Sequence, residues 1–398
     1  MTVIGITESG LAGLSTEALS YLKGAQLLVG GERHLEKISD NTAKCFGWGE
    51  GLDAAYDKIA EHTGEHVVVL ASGDPLHYGI GAQLVERFGA EVIHFIPSPG
   101  AFSLAASRMG WSLPDVTCLT VHGRPLELVN LHLYPKAKLL LLSWDGTTPN
   151  LLAKLLTSKG FGDSRISVLE HMDGDDEARV NGRARNWSYE QTANLNTIAV
   201  ECSAGTDAQF WSRAPGLPEA AYEHDGKITK REVRAATLAA LAPLPGETLW
   251  DVGAGSGAVG IEWMRMDTHN RSLAFENNET KCGVIERNAK NLGVPMLKIF
   301  PGHFLATINE IDQTPDAIFI GGGVSDKNIL HACWGSLKKN GRMVANGVTL
   351  EAHRSLMDFH AKYGNDLVRI SVARSGKVGS MTGLRPMMDL LQLKAIKQ

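Results

Sequence analysis

The sequence predicts an α/β protein built from two units that follow each other along the chain. In both halves, short apolar runs alternate with amphipathic stretches of helical length, which is typical of parallel sheets covered by helices. Each half also places a glycine-rich turn directly after an early apolar run. Between the halves, residues 203–229 hold Gly and Pro without clear periodicity, and 398 residues suffice for two or three domains of roughly 150 residues.

The composition fits a globular protein, with 43% apolar and 21% charged residues. The formal net charge of −5 disfavours a nucleic-acid binder, although it is compatible with a local basic patch. The five cysteines are scattered and include no CxxC pair, so we expect a reducing compartment. The start of the chain lacks signal-peptide features, and no apolar run reaches the roughly 18 residues of a membrane span. We therefore expect a cytoplasmic protein without a membrane partner.

The first half is predicted to contain two successive α/β layers over residues 1–205. A glycine-rich loop at 5–13 follows the first strand, and Ser15 is expected to cap the first helix. The polar stretch 171–185 predicts turns and an exposed hairpin. Strands are predicted at Thr2–Ile6, 26–29, 66–71, 91–96, 116–121, 138–143, 166–170 and 197–201, and helices at Ala101–Met109, 149–158 and up to Phe88.

The second half is predicted to be a further α/β domain at 224–398, after a linker at 206–223. Its last two strands are joined by a glycine-rich loop at 375–383 instead of a helix, so we expect a mostly parallel sheet that ends in an antiparallel hairpin. Strands are predicted at Thr248–Val252, 272–275, 296–300, Ala317–Ile320, 342–346, 366–373 and 389–393, and helices at 230–242 and Ala258–Met266.

The strongest motif lies between the strand Thr248–Val252 and the helix that follows. Asp251 ends the strand, Gly253, Gly255 and Gly257 follow at alternate positions, and Glu276 ends the next apolar run. A glycine turn of this kind brings an adenosine-containing ligand against backbone N–H groups, and an acid after the second strand reaches ribose hydroxyls. The glycines alone also permit a structural turn or, with Gly260, a nicotinamide dinucleotide site.

Several further motifs carry a family resemblance. In the first half, the run from Leu70 to Gly81 (LASGDPLHYGIG), Pro97 to Ser103 and the run from Val121 to Pro125 (VHGRP) resemble the tetrapyrrole methylase family, class III S-adenosylmethionine (SAM) methyltransferases. The second half resembles class I SAM methyltransferases, most closely the decarboxylating precorrin methyltransferases of vitamin B12 synthesis. That match is carried by Thr229 to Arg234 (TKREVR), the motif at Asp251 and the Ser375 to Pro386 loop.

The resemblance implies a two-subdomain tetrapyrrole methylase fold, followed by a Rossmann-like class I methyltransferase sheet with an antiparallel terminal hairpin. It implies two SAM sites per chain, methylation of precorrin-6B at ring positions C-5 and C-15, and loss of carbon dioxide from the C-12 acetate to give precorrin-8. The implied SAM contacts are Gly73, Asp74, Pro75, Gly79, Ser103 and Ala199 in the first half, and Thr229, Asp251, Gly253, Ala254, Gly255, Ser256, Gly257, Glu276 and Phe304 in the second. Phe304 departs from the family pattern and is expected to stack on the adenine.

The implied tetrapyrrole substrate carries many carboxylates, which basic side chains would bind. Lys230, Arg231 and Arg234 precede the second SAM motif, and His122 and Arg124 follow a strand of the first half. A solvated basic face explains the first three residues equally well, and an ordinary loop residue is the other interpretation of His122. Glu351 follows a strand and is a candidate proton donor or base, or a plain surface residue. No zinc-type pattern occurs, so we expect no metal.

Three other functions stay open at this stage. A nucleic-acid methyltransferase is disfavoured by Gly321-Gly322-Gly323, which stands where base amino-methylases have Pro-Pro-aromatic, and we expect no nucleic-acid partner. A NAD-dependent oxidoreductase would use Gly255 to Gly260. A non-catalytic SAM-binding module is disfavoured by the two methylase-like halves. We expect a small-molecule tetrapyrrole substrate and a homo-oligomer.

Overall fold

The computed structural model describes residues 1–38, 42–364 and 366–398. The chain forms two compact units. The first comprises Met1–Leu126 and Leu133–Gln209, and the second comprises Glu127–His132 and Phe210–Gln398.

The first unit contains two sheets with helices packed against them. In the described residues, the first sheet has the strand order β3-β2-β4-β1-β5 and the second has the order β6-β7-β10-β8-β9. The elements are β1 (Thr2–Ile6), α1 (Thr16–Lys23), β2 (Leu27–Gly30), α2 (Glu32–Glu36), β3 (Lys44–Gly47), α3 (Leu52–Glu61), β4 (Val67–Ser72), α4 (Gly81–Phe88), β5 (His94–Ile96), α5 (Ala101–Met109), β6 (Thr117–Thr120), β7 (Lys138–Leu142), α6 (Thr148–Ser158), β8 (Arg165–Glu170), β9 (Ala178–Arg183) and β10 (Asn196–Glu201).

The apolar runs of the first unit form the strands that its sequence predicts. β1 and β4 pair in parallel and bury both faces, which explains their unbroken apolar sequences. The hydroxyl of Ser15 accepts a hydrogen bond from the Ala18 N–H at 3.1 Å and caps α1 as expected. In the second sheet, β6 and β7 are parallel, whereas β8 pairs antiparallel with β9 and with β10. Of the exposed hairpin predicted at 171–185, one strand, β9, lies in that range, and it pairs with the separately predicted and mostly buried β8.

The second unit is built on a seven-stranded sheet with the order β13-β12-β11-β14-β15-β19-β16. The first five strands in this order are parallel, and β19 runs antiparallel between β15 and β16. The antiparallel end of the sheet is thereby confirmed. The elements are α7 (Arg231–Leu241), β11 (Thr248–Val252), α8 (Ala258–Met266), β12 (Arg271–Glu276), α9 (Glu279–Asn291), β13 (Lys298–Pro301), α10 (Phe304–Thr307), β14 (Ala317–Ile320), α11 (Lys327–Ser336), β15 (Arg342–Gly347), α12 (Leu350–Tyr363), β16 (Asp366–Ile370), β17 (Ala373–Val378), β18 (Met381–Pro386) and β19 (Leu390–Ile396).

The segment expected to be a glycine-rich loop at 375–383 is instead a β-hairpin. β17 and β18 pair from Ala373 with Pro386 to Val378 with Met381, which leaves Gly379 and Ser380 as the connection. A two-residue connection containing Gly suits antiparallel strands, so the glycines here mark a hairpin and not an irregular loop.

The second unit begins earlier than the expected domain start at 224. Leu217 and Tyr222 are buried in the same apolar cluster as Leu238 and Trp263. Buried Glu262 also accepts hydrogen bonds from the backbone of this segment. Residues 210–223, which the sequence predicts as part of a linker, therefore belong to the second unit, and Leu217 and Tyr222 lie in its core.

In the described part of the chain, no helix combines the length and the apolar character needed to cross a membrane.

Removing residues 210–223 should destabilise the second unit. A fragment of residues 210–398 keeps Leu217, Tyr222 and the backbone donors that satisfy Glu262, whereas a fragment of residues 224–398 leaves that buried carboxylate short of partners. We expect the longer fragment to be more stable by about 3 kcal/mol or more, since it buries two large apolar side chains and keeps charged hydrogen bonds. Urea unfolding followed by circular dichroism measures the difference, and equal stabilities would contradict this boundary.

Candidate active sites

The first unit contains a cavity of 840 Å³ at the carboxyl ends of β1 and β4. Gly73, Asp74, Gly79, His122 and Arg124, all predicted from the sequence, line it together. Ligands of open α/β sheets bind outside the carboxyl ends of parallel strands, so the cavity occupies the expected position.

The Gly-Asp-Pro turn forms one wall of this cavity. The Asp74 carboxylate accepts a hydrogen bond from the Leu76 N–H at 2.9 Å, and the Pro75 carbonyl accepts one from the Gly81 N–H at 2.8 Å. A Cβ on Gly73 would lie 2.9 Å from the Cα of Gly100. The turn therefore depends on a close backbone approach to the loop before α5. Pro75 itself is buried and fixes the turn without lining the cavity.

Aromatic and basic side chains lie around this cavity. The Arg124 guanidinium lies 5.7 Å from the ring centroid of Tyr78, and the His122 ring stacks on Trp144 with centroids 5.7 Å apart. Trp144 is 58% exposed and Tyr78 is 49% exposed. Such a surface offers broad apolar faces beside cationic groups, which suits a flat ligand that carries carboxylates.

A charged group that the sequence did not reveal lies at another wall of the cavity. Glu8 faces Arg33 at 3.4 Å, Lys37 at 3.5 Å and His171 at 3.8 Å. The neighbouring His34 ring lies 3.1 Å from the Ser72 hydroxyl, and burial lowers the pKa of His34 to about 4. His34 is thus neutral near pH 7. The sequence feature that could have revealed this group is the position of Glu8 just after β1 and of Arg33 and His34 just after β2.

Two predicted contacts in the first half lie away from this cavity. Ser103 is exposed on α5 and does not line the cavity, because the neighbouring Phe102 takes the inward position of that helix. Ala199 is buried beneath α5 in a cluster with Phe102 and Ala105, and it lines a separate cavity of 540 Å³. The cavity therefore gives no support to direct SAM contacts from Ser103 and Ala199, which stay predictions.

The second unit places its glycine loop between the carboxyl ends of β11 and β12. The N–H groups of Gly253 and Ala254 donate to the Phe275 carbonyl at 3.0 and 3.1 Å. Gly257 is the N-cap residue of α8, and the carbonyl of buried Ser256 in the loop accepts a hydrogen bond from Asn288 of α9 at 3.0 Å. A Cβ on Gly253 would lie 2.7 Å from the backbone of Gly322, so the turns after β11 and β14 touch through their main chains.

The two acids of the motif hold this loop. The Glu276 carboxylate accepts hydrogen bonds from the N–H groups of Gly255 at 2.8 Å and Asn278 at 3.0 Å. Asp251 accepts one from the Gly260 N–H at 2.9 Å, while its other oxygen has no partner among the described residues. Burial, with a smaller effect of the Glu276 charge, raises the pKa of Asp251 to about 7. The predicted group of Asp251, Glu276 and the glycines is thus assembled in space.

Phe304 does not offer a free face for stacking. It is 5% exposed and meets Trp250 and Phe275 edge to face, with ring centroids 6.1 and 5.0 Å apart. The ring therefore belongs to the apolar core, and the expectation that it stacks on adenine is corrected. The side chain at the same turn that does reach solvent is His303.

The three basic residues before the loop differ in their surroundings. Arg231 is exposed, and Lys230 is half-buried with its amine 3.1 Å from the Gly226 carbonyl. Both therefore remain candidates for binding substrate carboxylates. Arg234 is completely buried and its guanidinium donates to Glu262, Thr229 and Leu217. No substrate carboxylate reaches it, so the prediction that Arg234 binds substrate is corrected.

Glu351 is exposed in the first turn of α12, just beyond β15. Hydrogen bonds from its own backbone N–H and from the Thr349 hydroxyl lower the pKa of its carboxyl. Glu351 is consequently ionised at neutral pH, which favours a base over a proton donor.

Across the described ranges, no group of three or more His, Cys, Asp or Glu side chains has an arrangement that would hold a metal ion.

Replacing Asp251 by Asn should change how stability depends on pH. A carboxyl whose pKa is 3.8 unfolded and about 7 folded contributes stability below pH 3.8, and this contribution is lost as the pH rises towards 7. Asn keeps the acceptor for the Gly260 N–H without the buried charge. We expect Asp251→Asn to gain stability relative to the natural chain between pH 4 and pH 7, by at most about 4 kcal/mol. Thermal unfolding across this range measures the gain; a difference independent of pH would contradict it.

Comparisons with known proteins agree with this geometry. Residues 1–186 match the family model of the tetrapyrrole (corrin/porphyrin) methylases, and residues 220–397 match that of the precorrin methyltransferase domain. Two relatives match only part of the chain. A Salmonella typhimurium protein named cobalt-precorrin-7 C(5)-methyltransferase is 31% identical over 48% of this chain and 96% of its own length. A Saccharolobus solfataricus protein named probable cobalt-precorrin-6B C(15)-methyltransferase (decarboxylating) is 31% identical over 38% of this chain and 78% of its own length.

A third relative matches nearly the whole chain. The Sinorhizobium protein named precorrin-6Y C(5,15)-methyltransferase (decarboxylating) is 45% identical over 98% of this chain and 95% of its own length. Among the alternatives that the sequence left open, this similarity selects a methyltransferase and not an oxidoreductase. The chain belongs to the family of decarboxylating precorrin-6Y C(5,15)-methyltransferases.

Proposed function

We propose that this chain methylates a precorrin at C-5 and C-15 and removes carbon dioxide from the C-12 acetate, using one SAM site in each unit. The observation that carries the proposal is the presence of a glycine turn at the carboxyl ends of parallel strands in both units. The parallel strands that carry the two turns belong to sheets of different strand order, which supports a separate site in each unit.

The residues of the second unit fit SAM. The loop from Gly253 to Gly257 carries few side-chain atoms, so a ligand can approach its main chain, and the Glu276 carboxylate has lone pairs for ribose hydroxyls. When bound, SAM supplies a methyl group on a positively charged sulfur. No metal is required for that chemistry, because the chain's task is to align the donor and the ring carbon and to exclude water.

The first unit offers a second site and a surface for the ring. The turn at Gly73, Asp74 and Gly79 would hold SAM. Tyr78 and Trp144 would pack against the macrocycle, while Arg124 and His122 would bind its carboxylates. Arg33, which lines the same cavity, adds a further cation.

Decarboxylation in the second unit needs a held acetate and an electron sink. Lys230 and Arg231, at the start of α7, are positioned to bind substrate carboxylates beside the glycine loop, since the Lys227 carbonyl lies 4.0 Å from where a Cβ on Gly255 would be. A protonated nitrogen of the substrate ring can accept the electrons, so the chain needs no further organic cofactor. After carbon dioxide leaves, the former acetate carbon must take up a proton, and ionised Glu351 would donate one only after it has itself taken up a proton from water.

We assign C-15 methylation and decarboxylation to the second unit and C-5 methylation to the first. In other organisms, proteins named for the C(5) and the C(15) reactions are separate chains, and each matches less than half of this one. Two reactions that occur on separate chains are readily divided between two units of one chain.

We further propose a cytoplasmic homo-oligomer with no nucleic-acid partner. The five cysteines are unpaired, as a reducing compartment requires, and the net charge is −5. Met381, Leu384 and Met388, in and beside the β17–β18 hairpin, are each more than 70% exposed, and exposed apolar patches commonly mark contacts between subunits.

Two substitutions should separate the two reactions. Gly255→Val puts a branched side chain where the main chain must approach the donor, so we expect one methyl added without loss of carbon dioxide. Asp74→Ala removes the carboxylate that shapes the first turn, so we expect one methyl added with loss of carbon dioxide. Mass spectrometry of the product after incubation with the precorrin substrate measures both outcomes.

A matched control is Gly246→Val. Gly246 has a φ of +83°, comparable in sign to the +61° of Gly255, but it precedes β11 at the opposite end of the strand. Valine there imposes a similar backbone penalty of about 1–2 kcal/mol and should leave both reactions intact. Release of carbon dioxide by Gly255→Val at the rate of the natural chain would overturn the assignment of decarboxylation to the second unit.

A further inference from the structure

We propose that Arg234 is a positioning residue for the second SAM site, acting through the segment from Gly216 to Thr229. This role rests on the proposed second site. It replaces substrate binding, which the burial of Arg234 excludes.

The Arg234 guanidinium joins both ends of the segment. Its Nη2 donates to the Leu217 carbonyl, near the beginning of the segment, and its Nη1 donates to the Thr229 carbonyl at the end. Its Nε donates to Glu262 at 2.5 Å. The planar guanidinium of arginine carries several N–H groups in fixed directions, so all three bonds can form at once. The single ammonium group of a lysine cannot reach these three acceptors together.

Glu262 completes the anchor from α8. Its carboxylate accepts hydrogen bonds from the Gly216 N–H at 2.6 Å, the Leu217 N–H at 3.0 Å and the Tyr222 hydroxyl at 2.8 Å. The Tyr222 ring also lies 5.0 Å from the Arg234 guanidinium. The side chains of Arg234 and Glu262 are 0% and 2% exposed, so the positive and the negative charge of this ion pair are both buried. Removing either side chain would leave the other as an unpaired buried charge.

Asn288 links the same segment to the glycine loop. Its side-chain oxygen accepts from the Glu223 N–H at 2.8 Å, and its amide nitrogen donates to the carbonyls of Glu223 at 2.9 Å and Ser256 at 3.0 Å. Ser256 belongs to the loop that contacts the donor. Asn288 thus couples the middle of the segment directly to the site.

The end of the segment borders the place where the donor binds. The Lys227 carbonyl lies 4.0 Å from where a Cβ on Gly255 would be, and Thr229, held by Arg234, follows two residues later. Lys230 and Arg231 continue from there. A shift of the Arg234 fork would therefore move the border of the SAM site and the candidate carboxylate ligands together.

The test compares two buried arginines by Arg→Lys substitution in the full chain. Arg265 is 2% exposed and donates to the carbonyls of Leu292, Trp211 and Ser212, all of which lie outside residues 216–229. We expect both Arg234→Lys and Arg265→Lys to lower the melting temperature. Only Arg234→Lys should raise the Kd of the second SAM site, by about tenfold, in calorimetric titrations below the melting temperature.

Two milder variants keep the proposal testable if Arg234→Lys does not fold. Tyr222→Phe removes one hydrogen bond to Glu262, and Asn288→Ala removes the link to Ser256; each should weaken second-site SAM binding by threefold or more. A natural chain that binds one SAM would refute the second site itself. A natural chain that binds two, with the Kd of the second site unchanged in Arg234→Lys or in both milder variants, would overturn the positioning role.

Discussion

Both candidate sites depend on a contact between two main chains that leaves no room for a side chain. In the first unit, a Cβ on Gly5 at the end of β1 would lie 1.8 Å from the Gly73 carbonyl oxygen. In the second unit, a Cβ on Gly253 would lie 2.7 Å from Gly322. Neighbouring parallel strands end side by side, so their following turns must share one edge of the sheet. Glycine lets these turns close against each other and leaves main-chain atoms exposed to a ligand.

The rest of each site is built around this contact by buried polar groups. In the second unit, Glu276 holds the glycine loop through a backbone N–H group and Asp251 holds the first turn of α8, while Asn288 and the Arg234–Glu262 pair hold the segment beside the loop. In the first unit, Asp74 shapes the turn, and the Glu8 carboxylate lies beside Arg33, Lys37 and His171. Fixed groups of this kind suit methyl transfer, in which alignment of donor and acceptor supplies much of the rate.

The sequence predicts the parts of this arrangement that local patterns determine. Apolar runs locate the parallel strands, and the order of Asp251, the glycines and Glu276 locates the second site, because each strand end and its turn are adjacent in sequence. The grouping of Glu8, Arg33 and His34 is harder to predict, since it joins the ends of β1 and β2 in space. The prediction for Phe304 is wrong because its partners in the core, Trp250 and Phe275, come from strands distant in sequence.

The position of Arg234 in the helical repeat of α7 predicts its burial better than its charge does. It lies on the same face of α7 as Thr237, Leu238 and Leu241, all buried, whereas Arg231 lies on the solvent side. A basic residue on an apolar stripe predicts a buried partner, and only the fold reveals that the partner is Glu262 on α8. The β17–β18 hairpin is not predicted by its sequence, because glycines are as common in irregular loops as in hairpins of this kind.

Calorimetric titration of the full chain with SAM counts its methyl-donor sites. If each unit carries one site, two SAM molecules bind per chain. A stoichiometry of one would show that one of the two units binds no SAM.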